Sequence, residues 1–127
     1  MTPLEMVELM IAISDNVKTL MSQVEAEQYY ADQEYNDLTH ALELTRFNAA
    51  EGFRLAKELQ DNRLRRRNAK NQREQLQPLY DLIQKYQVFF KELKNVQAQI
   101  ESVIHAQAKR KYQPRVRDDL FRKVEVT

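Results

Sequence analysis

The sequence predicts an all-α protein, a long antiparallel helical bundle or hairpin with coiled-coil-like packing. Three observations carry that expectation. One Gly and three Pro among 127 residues leave almost no turn chemistry for β-hairpins. Leu, Ala, Glu, Lys, Gln and Arg dominate, the side chains that lose least freedom in a helix. Large apolar residues recur at alternating spacings of three and four, the signature of a helix with one buried stripe.

The first helix is expected over about 3–28. Thr2-Pro3-Leu4-Glu5 is a capping box, with Pro at the first helical position. Behind it Met6, Met10, Ile13, Val17, Leu20 and Val24 form a seam, widened by Val7, Ile11 and Met21. Polar residues follow Val24, so the helix is closed near Gln28. Asp32 then caps a second helix over about 33–76, whose seam runs Tyr35, Leu38, Leu42, Thr45, Ala49, Gly52, Ala56 and Leu59. The small residues in its middle suit close approach of two helices. Asn48-Ala49-Ala50 or Gly52 as a break is the alternative.

Pro78 opens a third helix, about 78–109, or kinks a continuous one. Leu79, Ile83, Tyr86, Phe90, Leu93, Ile100 and Ile104 form its seam, with Leu82, Phe89, Val96 and Val103 as a second row at intervals of seven. This helix is expected to be the main core donor. The tail, 110–127, should be extended to Pro114, with a helical turn around Asp118 to Lys123. A chain of this length is read as one domain, 1–127.

A net charge of +1 conceals a strong asymmetry. Up to Glu51 ten acidic residues face Lys18 and Arg46, a net of −8; from Gly52 onward eighteen basic residues face nine acidic, a net of +9. Either the halves neutralise each other or one of them docks an oppositely charged partner. The basic charge is densest at Arg63, Arg65, Arg66, Arg67, Lys70 and Arg73. On a helix these form a candidate surface for nucleic-acid phosphates or for an acidic protein partner. The plainer reading pairs them with the acidic first half, led by Glu34, Asp37 and Glu43. A second candidate is the tail, where Tyr112, Arg115, Arg117, Leu120 and Phe121 interleave apolar anchors with charge and suit docking, on this chain or another.

Asp37, His40 and Glu43 form a charged cluster on one helix face. Carboxylate-x-x-His is the element of di-iron bundles, but such sites need it twice, and Glu101 with His105 has the wrong spacing. No metal and no other cofactor is therefore expected. There is no Cys, no Gly-rich phosphate loop and no nucleophile elbow around Ser14, Ser22 or Ser102, so no enzyme is expected either. No apolar run approaches a membrane span, and the cytoplasm is the expected compartment.

At Asp37-Leu38-Thr39-His40-Ala41-Leu42-Glu43-Leu44, Asn48-Ala49-Ala50-Glu51-Gly52, Arg65-Arg66-Arg67-Asn68-Ala69-Lys70 and Tyr112-Gln113-Pro114-Arg115-Val116, the chain resembles small uncharacterised helical proteins of phages and prophages of Gram-positive bacteria. The likeness spans roughly Asp32 to Phe121. It implies a phage or mobile-element origin, hence the host cytoplasm, and groups His40, Glu43, Arg66 and Lys70 in one charged cluster; it carries no activity. The reading as a whole is a non-enzymatic helical protein–protein interaction protein that self-associates, a dimer favoured, and acts as a phage accessory or assembly factor. Its protein partner is unidentified, and the alternative is nucleic-acid binding through 63–73.

Overall fold

A computed structural model describes residues 1–121, and the fold is all-helical: α1 (Pro3–Leu44), α2 (Ala49–Lys85), α3 (Gln87–Ala108) and a short 3₁₀ turn, η1 (Asp118–Phe121). The capping box forms as the sequence requires. Thr2 Oγ1 accepts the Glu5 N–H and Glu5 Oε2 accepts the Thr2 N–H, both at 3.2 Å. Beyond it α1 runs for 42 residues without a break at Gln28. Nothing in Glu25 to Tyr30 stops a helix, and the buried positions continue as Val24, Ala31 and Leu38 at intervals of seven. The sequence pattern fades there only because Ala31 is small. Asp32 is mid-helix and caps nothing.

The chain turns instead at Thr45 to Asn48. The Thr45 N–H donates to the Ala41 carbonyl at 3.2 Å to finish α1, and Asn48 Oδ1 accepts the Glu51 N–H at 2.8 Å to start α2. The expected second helix is therefore split, at Asn48 rather than at Gly52. Its small-residue seam does not form: Thr45 is a cap, and Ala49 and Ala56 are exposed. Gly52 owes its place to Phe47, since a Cβ there would lie 3.1 Å from two carbons of that ring. The Phe47 ring is half exposed beside the turn and free to yield. Gly52→Ala should thus gain about 0.5 kcal/mol in urea denaturation, part of the ~1 kcal/mol helix preference for Ala. A loss would mean that the ring is held.

Pro78 lies inside α2 and opens no helix. It cannot donate to the Glu74 carbonyl, yet the helix carries the defect for two further turns. The actual interruption is Tyr86 (φ −104°, ψ 31°), and it is slight. Tyr86 N–H still donates to the Leu82 carbonyl at 3.1 Å, and Phe90 N–H to the Tyr86 carbonyl at 3.2 Å. From Ala49 to Ala108 the chain is thus one long arm, bent once.

That arm runs antiparallel to α1. Asn62 reaches Ala31, Arg73 reaches Glu25, and further on Gln87, Phe90 and Lys94 of α3 share a cleft with Lys18, Ser14 and Ile11. α2 and α3 meet only around their junction, so the fold is a two-armed hairpin. The core is one seam wide. It comprises Val7, Ser14, Val17, Met21, Val24, Ala31 and Leu38 of α1 against Asn62, Ala69 and Ile83 of α2 and Leu93 of α3. The first helix, not the third, is the main donor. Past Ile100 every residue of α3 is exposed, because the arm outruns the start of α1.

Candidate interaction surfaces

The basic stretch is positioned by α2 directly across from the acidic middle of α1. Arg65 Nη2 meets Glu34 Oε1 at 2.6 Å, and Arg66 Nε meets Asp32 Oδ1 at 3.0 Å while its guanidinium lies 4.3 Å from the Tyr35 ring centre. Arg73 donates to Gln28 at 3.1 Å and comes within 3.8 Å of Glu25. Three pairs of opposite charges, one from each half, thus meet within one chain. The partners are Glu34, Asp32 and Glu25; Asp37 and Glu43 make no ion pair among the described residues. Lys70 pairs loosely with Glu74 of its own helix at 3.9 Å. Arg63 and Arg67 have no ion-pair partner among the described residues. The Arg73–Glu25 and Lys70–Glu74 pairs are exposed and worth roughly 0–1 kcal/mol each, whereas the Arg65–Glu34 and Arg66–Asp32 pairs are half-buried.

Beneath them sits a residue that the sequence pattern did not single out. Asn62 is fully buried at a seam position. Its Nδ2 donates to the Ala31 carbonyl and to Glu34 Oε1, both at 2.9 Å, while its Oδ1 meets no donor. Glu34 is thereby held by Asn62 and Arg65 together. A buried amide between helices fixes their register at some expense in stability. The signal was available: an Asn seven residues before the buried Ala69 on an otherwise charged helix.

Asp37, His40 and Glu43 are all exposed on α1, and no hydrogen bond joins them among the described residues. No group of three His, Asp or Glu side chains among the described residues is placed to hold a metal ion. Among the described residues no helix is long and apolar enough to cross a membrane.

The η1 turn keeps off the hairpin. Tyr112 stacks on Phe121, ring centres 5.5 Å apart, and Arg117 donates twice to the Asp119 carboxylate at 2.9 Å, making a small hook. That pairing raises the Arg117 pKa and lowers that of Asp119, so the clasp is lost only as pH falls through the depressed Asp119 value. Arg115 and Leu120 are exposed, and η1 touches none of the three helices. The expected turn begins at Asp118 as anticipated; Arg122 and Lys123 lie outside the described residues.

The largest correction concerns the apolar seams. Met6, Met10, Ile13 and Leu20, expected in the core, are exposed on α1. So are Leu79, Leu82, Tyr86, Phe89, Val96, Val103 and Ile104 of the expected core helix, with Leu82 at 53% and Val103 at 52%. Each uncovered row stands one residue before a covered or half-covered one: 6, 13 and 20 before Val7, Ser14 and Met21, and 82, 89 and 96 before Ile83, Phe90 and Gln97. One residue is a rotation of 100°. On antiparallel helices that face each other, equal rotations reach the same side. The two rows therefore form a single apolar surface along one side of the hairpin, at the end away from the turn. It leads into a groove, first between Leu20, Val24 and Leu76, then past Glu27, then between Glu34, Asp37, Leu55, Glu58 and Arg65.

No family model matches the chain, and neither the curated proteins nor the solved structures give a match.

Proposed function

We propose that this chain is a non-enzymatic helical interaction protein that self-associates through the apolar side of its hairpin, as an accessory or assembly factor does. One observation carries the reading: the row Leu82, Phe89, Val96 and Val103, at intervals of seven, lies uncovered beside Met6, Met10, Ile13 and Leu20. A repeat of seven sustained over three turns or more is what a helix presents to another helix. A surface mixing this many large apolar side chains is an interaction site by default. The area agrees. The chain exposes 10689 Å², whereas a compact monomer of 15.2 kDa exposes about 7,100 Å² by size scaling. The excess reflects how much side-chain surface an elongated, one-seam hairpin leaves uncovered.

Light scattering after size exclusion tests this. The wild type should give a multiple of the chain mass, and Leu82→Glu with Phe89→Glu should give the chain mass with helicity retained, since neither side chain is in the core. A monomeric wild type, or an oligomer that survives the double variant, sinks the proposal. Nucleic-acid binding is the second reading, favoured by Arg66, Arg67 and Lys70 sharing one cleft on the opposite side. It is weakened by the capture of Arg65, Arg66 and Arg73 by α1. Duplex DNA added to the same run separates the two, because phosphate binding must fade steeply with salt.

A further inference from the structure

We propose that the occupant of the apolar side is a second copy of this chain running antiparallel to the first, so that the basic tail of each copy lies along the carboxylate-lined groove of the other. The inference rests on the self-association proposed above and adds its geometry. A two-fold axis can superpose two such apolar sides in two ways: with the hairpins pointing the same way, or opposite ways. Charge decides between them.

The groove that continues the apolar side toward the turn carries Glu27, Glu34, Asp37 and Glu58 against Arg65 alone. Of these only Glu34 is ion-paired among the described residues, to Arg65. The opposite end of the molecule carries the complement: beyond Glu101 the chain holds Lys109, Arg110, Lys111, Arg115 and Arg117, with no acidic residue until Asp118. Hairpins pointing the same way would lay carboxylates on carboxylates and tail beside tail. Pointing opposite ways, each tail meets the other copy's carboxylates. Like charges across an interface suppress the first arrangement and steer the second.

Lengths agree. Ile11 to Lys18 and Gln87 to Lys94 line one cleft on antiparallel helices; with Lys94 placed level with Ile11, Ala108 falls about three residues' rise beyond the start of the chain on α1's scale. With the two-fold at the level of Ile13, in the apolar surface, Ala108 lies ~24 Å from the axis at 1.5 Å per residue. Its copy therefore lies ~24 Å on the other side, near Tyr29, where the carboxylate groove begins. The tail then has Glu34, Asp37 and Glu58 ahead of it. A chain cannot make this contact with itself. From Ala108 to its own Glu27 is ~45 Å, whereas Arg117 lies nine residues on and reaches at most ~31 Å fully extended. The η1 turn standing clear of its own hairpin accords with this.

The chain contains no cysteine, so a disulfide reporter is clean. Asp37→Cys and Lys111→Cys should be made in separate full-length preparations, mixed and oxidised. The expected product is a mixed 37–111 disulfide between copies, abolished by Leu82→Glu with Phe89→Glu. As a second measurement, Asp37→Lys with Glu58→Lys should weaken the dimer about tenfold, as should Lys111→Glu with Arg115→Glu. Mixing the two charge-reversed chains should restore assembly. A dimer that links 111 to 111 instead, or that ignores both charge reversals, overturns the antiparallel arrangement while leaving self-association standing. A monomeric wild type removes both.

Discussion

Asn62→Asp should cost about 3–5 kcal/mol at neutral pH, the scale of an uncompensated buried charge. The side chain is fully buried, and its Nδ2 serves two acceptors, the Ala31 carbonyl and Glu34 Oε1, at 2.9 Å each. Aspartate has the same shape but no donor. It would aim oxygen at both acceptors and set a second carboxylate against Glu34 where water cannot reach. The penalty should depend on pH in one direction. Burial beside a like charge raises the folded pKa of the introduced carboxyl above its unfolded value. The charge penalty is then absent below the ordinary carboxyl range, grows as pH rises, and is complete above the raised folded value. Urea denaturation of variant and wild type between pH 4 and 8 measures it. A pH-independent difference would show that the side chain had found solvent. Asn62→Leu is the control: it gives up the two Nδ2 hydrogen bonds but also an Oδ1 that meets no donor, and it buries no charge, so it should cost far less than Asn62→Asp and loosen the register.

Ile83→Ala and Leu93→Ala should each cost about 2–4 kcal/mol, the usual result of opening a cavity under a large aliphatic side chain. Ile83 is 3% exposed and Leu93 8%, and each anchors one segment of the second arm to α1. Losses this size are a large share of the stability a small domain has. Leu82→Ala supplies the contrast from one residue away. Its side chain adds nothing to the hairpin core, so any loss it causes should vary with protein concentration, as a change in assembly does. Equal, concentration-independent losses for Ile83→Ala and Leu82→Ala would mean that the arm is rotated by a residue from the orientation described.

The helical class was legible because composition and spacing agree along the whole chain. The α1 start was legible to the residue, since Thr2, Pro3 and Glu5 act locally. The breaks were harder for a physical reason. Asp32 has the chemistry of a cap, but so does any Asp on a helix, and a cap operates only where the chain leaves the helix. Asn48 operates there because Thr45 ends α1 three residues earlier. Pro78 misled for the converse reason: one lost backbone bond is tolerable when flanking turns are packed. Among the surface candidates, charge alone set the basic stretch against an acidic surface that includes Glu34, whereas which residue meets which, and Asp32 and Glu25 as partners in place of Asp37 and Glu43, depended on the register of the hairpin. The apolar side was invisible because each helix carries more apolar residues than one neighbour can cover. Spacing says that Leu82 and Ile83 both lie on the apolar arc; only the fold says which one α1 reaches.

The hairpin topology also orders events in time. Facing residues lie a handful apart beside Thr45 and about eighty apart where Ile11 and Lys94 share a cleft, and the entropic cost of closing a loop grows with its length. Pairing should therefore begin at the Thr45–Asn48 turn and zip outward, with the start of α1 and α3 joining last. On a ribosome the outer end of α1 emerges well before α3, its neighbour in the finished hairpin. Met6, Met10 and Ile13, which the finished hairpin leaves uncovered as well, stand open throughout, so the self-association proposed above has a surface to act on from early in synthesis.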